Sequence, residues 1–189
     1  MPTSQTVRRR TGGLALLAAV ATLTLTMIFA ASADASGGVG PEGTGSSSDA
    51  TVPGSKAKLV KGRAIAPEDA PKRVQKVIAA ANKIRNKPYK YGGGHGNFKD
   101  SGYDCSGAVS YALRGGRMLK APLDSSGLAR WGRKGKGSWI SVYGASSHAY
   151  MVVAGLRFDT SMVDGDGPGW SRSMRSTPES YKVRHFRNL

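Results

Sequence analysis

Pro88-Tyr-Lys-Tyr-Gly-Gly-Gly-His-Gly-Asn-Phe-Lys-Asp-Ser-Gly-Tyr-Asp-Cys-Ser-Gly107 carries the only cysteine of the chain, Cys105. A glycine-rich, turn-forming run leads into Asp104-Cys105-Ser106-Gly107, and an apolar run, Ala108-Val-Ser-Tyr-Ala-Leu113, follows at once. That order predicts a loop that delivers a thiol to the first turn of a helix. Backbone N–H groups at a helix start lack partners and the helix dipole is positive there, so a thiolate is favoured. Gly115-Gly116 supplies the stop.

Upstream, Pro67-Glu68-Asp69 places a proline and two acids where a first helical turn would begin. Val74, Val77, Ile78, Ala81 and Ile84 recur at helical spacing with Lys and Arg between them, and Pro88 ends the pattern. Downstream, residues 118–136 are irregular and basic, with room for one short helix. Gly137–Tyr143 reads as a strand, His148–Ala154 and Arg157–Ser161 as two more with a tight turn at Gly155-Leu156, and Tyr181–Phe186 as a terminal strand. Met162–Glu179 reads as a long loop. Helices first and antiparallel strands later predict an α+β domain over residues 64–189.

The 189 residues carry a net charge of +16 and a pI near 10.3, which suits an anionic partner. Arg8-Arg9-Arg10, an apolar run over residues 14–31 and the small-residue pattern Ala33-Asp34-Ala35 read as a secretory signal over residues 1–35 rather than an anchor. No stable membrane span is then expected once it is removed, and export weakens a nucleic-acid reading of the charge. Residues 36–63 begin rich in Gly, Ser, Pro and Thr and end basic, which reads as a flexible linker. One cysteine excludes an internal disulfide and a Cys-rich zinc site. Oxidising compartments usually pair their cysteines, so a lone exported thiol in this polar setting reads as reactive. No metal or organic cofactor is implied: Gly92-Gly93-Gly94 lacks the ending of a phosphate loop, and the three histidines lack zincin spacing.

A thiol needs a base within hydrogen-bond reach, and the base needs a group to orient it. His148 opens a strand, a fixed position from which an imidazole meets a helix start. His95 lies in the glycine loop, whose expected flexibility makes it the weaker candidate, and His185 reads as a surface residue of the last strand.

Three ordered motifs resemble the NlpC-type cell-wall cysteine peptidases, which have a papain-like core. Pro88-Tyr89-Lys90-Tyr91-Gly92-Gly93 resembles the family's Pro-Tyr-x-aromatic-Gly-Gly. Asp104-Cys105-Ser106-Gly107 resembles its nucleophile motif, and Ser147-His148-Ala149 with the following β-rich run resembles its histidine strand. The resemblance covers roughly Ala66 to Leu189. It implies N-terminal helices packed on an antiparallel sheet, Cys105 as nucleophile and His148 as base. It also implies that Tyr89, Asp104 and Ser106 line the pocket for the free amine of a peptidoglycan stem peptide. Asp104 and Ser106 also fit a plain helix-capping role. The family's Pro-Gly-Asp segment before the histidine strand is missing, and Gly137-Ser-Trp-Ile-Ser-Val-Tyr143 stands there instead.

The orienter of His148 is expected on the next strand. The family position, counted without gaps, falls on Thr160, with Asp159 one earlier. Alternation puts these two side chains on opposite faces, so the turn length decides between them. A carboxylate holds an imidazolium better than a hydroxyl, which favours Asp159 as the third member. The expectation is therefore a secreted or envelope-associated cysteine endopeptidase acting on peptidoglycan stem peptides, with an anionic wall polymer as a further partner class. Its rivals are a non-catalytic peptidoglycan-binding module, or an amidase or acyltransferase on the same fold.

Overall fold

A computed structural model describes residues 50–162 and 165–189. The expected signal over 1–35, and the linker as far as residue 49, lie outside the described residues.

The described chain opens with β1 (Thr51–Val52), β2 (Lys58–Val60) and β3 (Arg63–Pro67). They form a small sheet in the order β1-β3-β2. Residues 51–63, expected as flexible linker, are thus structured. Lys61 (φ 46°) and Gly62 (φ 72°) make a two-residue turn that pairs Val60 with Arg63. Both N–H and C=O of Ala64 are taken by the buried amide of Asn82. The signal was a Lys-Gly hairpin turn hidden among solvated lysines.

Helix α1 (Lys72–Ile84) begins later than the Pro67-Glu68-Asp69 signal. The N–H groups of Glu68 and Asp69 already donate to Val52 O and Gly54 O, and Pro71 bars Ala70 from helical geometry. The expected face is the buried one: Val74, Val77, Ile78, Ala81 and Ile84 are each at most 2% exposed. Helix α2 (Cys105–Gly115) packs against it, and Ala108, Val109, Ala112 and Leu113 are its buried face. Gly115 and Gly116 sit at the crossing, where a Cβ would strike Ala80 and Val77 of α1. The short helix of the irregular region is α3 (Ser125–Arg130), capped by Asp124, whose side chain accepts from Gly127 N–H.

Strands β4 (Arg133–Lys134), β5 (Ile140–Gly144), β6 (Ala149–Val153), β7 (Leu156–Met162), β8 (Gly165–Ser171) and β9 (Lys182–His185) form a second sheet. Its order is β4-β9-β5-β6-β7-β8, antiparallel throughout. The architecture is α+β, with α2 lying against β6 and β7. The β6–β7 turn is Ala154-Gly155, one residue earlier than expected; both have positive φ (46° and 87°), and Val153 pairs with Leu156.

β8 replaces part of the loop expected over 162–179. Its sequence, Gly-Asp-Gly-Pro-Gly-Trp-Ser, has little strand propensity, but it lies at the sheet edge, where a proline costs no ladder bond. Trp170 fastens it: the ring packs on Phe158 at 4.8 Å, and its Nε1–H donates to Asn82 Oδ1 at 3.1 Å. Among the described residues no helix is long and apolar enough to cross a membrane.

Candidate active site

The glycine loop is fastened at both ends. Tyr89 bridges Tyr103, Lys90 N–H donates to Tyr103 O, and Tyr103 N–H donates to Pro88 O. Asp100 accepts from Lys90 Nζ (2.8 Å) and from Gly94 N–H (3.1 Å). Those bonds hold its carboxyl well below the usual range. Gly107 sits so close to Gly93 O that any Cβ there would overlap it. The loop therefore lies directly on the first turn of α2.

Asp104 caps that helix. Its Oδ1 accepts from Gly107 N–H at 2.7 Å and from the Ser106 hydroxyl at 3.2 Å, and its Oδ2 accepts from Gly92 N–H at 3.2 Å. Cys105 is then the first helical residue, half-buried, and its own N–H has no intrahelical partner.

Strand β6 brings His148 to the thiol. The imidazole of His148 and the N–H of Ala149 both act on the Cys105 thiol and pull it down from its ordinary value. His148 Nε2 donates to Asp159 Oδ1 at 2.9 Å, which leaves Nδ1 to face the sulfur. The two-residue turn decides which side chain of β7 meets His148. It sets Asp159, not Thr160, on the His148 face of β7. Asp159 is 1% exposed and also accepts from Ser161 N–H and from Arg175, with Arg157 Nε 3.7 Å away.

The electrostatics follow from these contacts. Burial pushes the Cys105 thiol up, but the His148 hydrogen bond, the Ala149 N–H and the imidazolium charge outweigh it and leave the thiol below its ordinary value. Burial pushes His148 down, yet its bonds to Asp159 and Cys105 and their negative charges raise it to about 9. Burial would raise Asp159, but His148, Ser161 N–H and Arg175 lower it to about 2. The same contacts favour a thiolate at Cys105 and an imidazolium at His148, backed by a carboxylate.

A cavity of about 490 Å³ opens beside the sulfur. Tyr89, Asp104 and Ser106 line it, together with His95, Asp124 and Ser146. Burial and the nearby charges of Cys105 and Asp104 push the Tyr89 phenol up. His95 is engaged away from the sulfur: its Nε2 meets Asp104 Oδ1 (3.0 Å) and Ser106 Oγ (3.1 Å). The expected reason for discounting it, a loose loop, is replaced by this engagement. His185 lies on β9 with Nδ1 3.1 Å from Gly135 O.

Sequence reasoning missed Arg175 and Arg157. Arg175 stands in a stretch of serines and arginines without periodicity, so no local signal marks it.

No family model and no curated protein matches the sequence. Several solved structures are similar. The peptidoglycan hydrolase RipB from Mycobacterium tuberculosis shares 23% identity over 60% of this chain and 64% of its own, with a TM-score of 0.45. RipD from the same organism, described as a non-catalytic NlpC/p60 domain protein adapted to peptidoglycan binding, shares 22% over 61% of this chain and 98% of its own, TM-score 0.45. An NlpC/P60 family protein from Bacillus cereus shares 16% over 60% of this chain and 40% of its own, TM-score 0.44. The chain thus spans less than two thirds of RipB.

Proposed function

We propose that this protein is an exported cysteine endopeptidase that hydrolyses peptide bonds in peptidoglycan stem peptides. The observation that carries the reading is the line of contacts from Cys105 at the α2 start, through His148, to the buried Asp159. A binding module has no use for a thiol activated in this way.

In the proposed reaction the Cys105 thiolate attacks the scissile carbonyl and forms a C–S bond. The negative charge moves to the carbonyl oxygen, beside the Cys105 N–H at the positive end of α2. The C–N bond then breaks. The proton on His148 Nδ1 passes to the leaving amine, and a thioester remains. His148, now neutral, takes a proton from water. The resulting hydroxide attacks the thioester and releases the carboxylic acid, and the thiolate–imidazolium pair is restored. Asp159 stays ionised throughout and keeps Nε2 protonated, so that Nδ1 does the proton transfer. The rate is expected to fall in acid as the thiolate is protonated, and in alkali as His148 loses its proton near pH 9. Digestion of purified peptidoglycan with mass analysis of the fragments tests the reading. Release of cut stem peptides supports it; intact stems, or a new amide or ester in place of a free acid, would sink it.

The polar cavity suits an ammonium group, with Tyr89, Asp104 and Ser106 offering oxygen acceptors. Acetylating the free amine of a stem peptide is therefore expected to lower kcat/KM by roughly 100-fold or more, since a charged contact is lost on one side only. Equal turnover of blocked and free peptides in a competition assay removes the cavity from this role. Export is proposed on the residue order of the first 35 positions, and terminal sequencing of the envelope-associated form is expected to start near Ser36.

A further inference from the structure

Arg175 lies between β8 and β9, outside any strand. Its Nη1 donates to Asp159 Oδ2 at 3.0 Å and stands 3.1 Å from His148 Nε2. The guanidinium also covers the Tyr150 ring, 5.7 Å from its centre. That ring is held in turn. It stacks on Tyr143 at 4.5 Å, and its hydroxyl meets Thr177 Oγ1 at 2.9 Å. Thr177 belongs to the same stretch as Arg175, so both the guanidinium and its backbone are fastened to β6. The Arg175 side chain is 29% exposed, so it adds little to the core.

Nε2 already gives its hydrogen to Asp159, so Arg175 cannot at the same time donate to it. What Arg175 places beside Nε2 is a charge. The other groups around His148 and Asp159 are the Cys105 thiol on α2, the Tyr150 phenol on β6, Arg157 on β7, which faces Asp159, and Tyr181 ahead of β9, whose hydroxyl feels Arg175, Asp159 and Cys105. Arg175 is the cation in direct contact with both His148 and Asp159.

We propose that Arg175 is a positioning residue for the Cys105–His148 chemistry: it pins Asp159 Oδ2 so that Oδ1 faces the imidazole, and its fixed charge makes the imidazolium readier to release its proton. An imidazolium backed by a buried carboxylate alone holds that proton too firmly to act as a good acid toward a leaving amine. A neighbouring cation offsets part of the carboxylate charge without breaking the Nε2–Asp159 bond.

The inference rests on Cys105 and His148 being nucleophile and base, and on nothing about the substrate. It can therefore be tested without one. The chain has a single cysteine, so alkylation by iodoacetamide reports that thiolate alone: sulfur bonds to the CH2 carbon and iodide leaves. The alkylation rate is followed from pH 4 to 11 for the wild type, Arg175→Gln and Arg175→Lys, with peptidoglycan turnover measured alongside. Removing a cation makes proton uptake easier at both groups. Arg175→Gln is therefore expected to move both pH limits upward by about one unit, the His148 limit further because it is nearer. Arg175→Lys, which keeps the charge, should stay close to wild type. Turnover by Arg175→Gln at neutral pH should fall about tenfold in kcat with KM little changed. A glutamine profile that coincides with wild type overturns the proposal, as does a lysine profile displaced as far as that of glutamine. A shifted alkylation profile in a protein that cuts no peptidoglycan leaves Arg175 in its role and removes the substrate reading instead.

Discussion

Replacing Cys105 by alanine is expected to lower peptidoglycan hydrolysis by at least about 10,000-fold while the fold persists. The size of the effect follows from the absence of a substitute. No other cysteine exists in the chain, and the hydroxyl next in sequence, Ser106, is turned to Asp104 and His95. The fold should tolerate the change. The helix start is held by Asp104 and by the close approach of Gly107 to Gly93, neither of which involves the sulfur. Cys105 is only half-buried and alanine is a good helix former, so stability should change by no more than about 1 kcal/mol. Fragment yield by mass spectrometry and a melting curve together decide it. Hydrolysis by the alanine variant at the wild-type rate would falsify the nucleophile assignment.

The second large effect is expected at Asp159. Substitution by asparagine keeps the shape but removes the charge that holds Nε2 protonated, and kcat should fall by roughly 100- to 10,000-fold. Asparagine is a better probe than alanine here. Asp159 is buried with Arg157 and Arg175 around it; either substitution leaves their charge uncompensated at a cost of about 3–5 kcal/mol, but only alanine also empties the site. Thr160→Val is the matched control, because Thr160 is equally buried but on the opposite face of β7. Activity within about threefold of wild type is expected there. The reverse pattern, with loss at Thr160 and little change at Asp159, would move the orienting role to the hydroxyl. Two unimpaired variants would leave His148 working without a side-chain orienter.

What the sequence revealed were the features written in local chemistry. A glycine-rich loop, a capping aspartate and an apolar run define the α2 start, and β-rich runs about a tight turn mark β6 and β7. The choice between Asp159 and Thr160 hung on one residue of turn length. Gly155 flagged the turn, but its partner is Ala154, which adopts a positive φ that alanine seldom takes. That register is imposed by the β6–β7 ladder and not by the turn residue. β8 was illegible for a related reason. Its glycines and proline argue against a strand, and Trp170, packed on Phe158 and reaching Asn82 on α1, secures it beside the β7 ladder. Arg175 was illegible because its meaning comes from residues distant in the chain, His148 and Asp159, that reach it only in three dimensions.

Asp104 has a bearing on how this pocket could change its preference. The one carboxylate anchors the helix through Gly107, steadies the loop through Gly92, and holds His95 and Ser106 in the cavity wall. Any substitution there disturbs several supports at once, so a loss of activity at this position would not distinguish a binding role from a foldedness role. New selectivity is accordingly more accessible at wall positions that bear no such burden. Tyr89 is 46% exposed, and Ser146 and Ser147 lie on the open side between β5 and β6. A library aimed at altered substrate chemistry should vary those three positions and keep Asp104 constant, which makes the capping aspartate a fixed point of the scaffold around which specificity can drift.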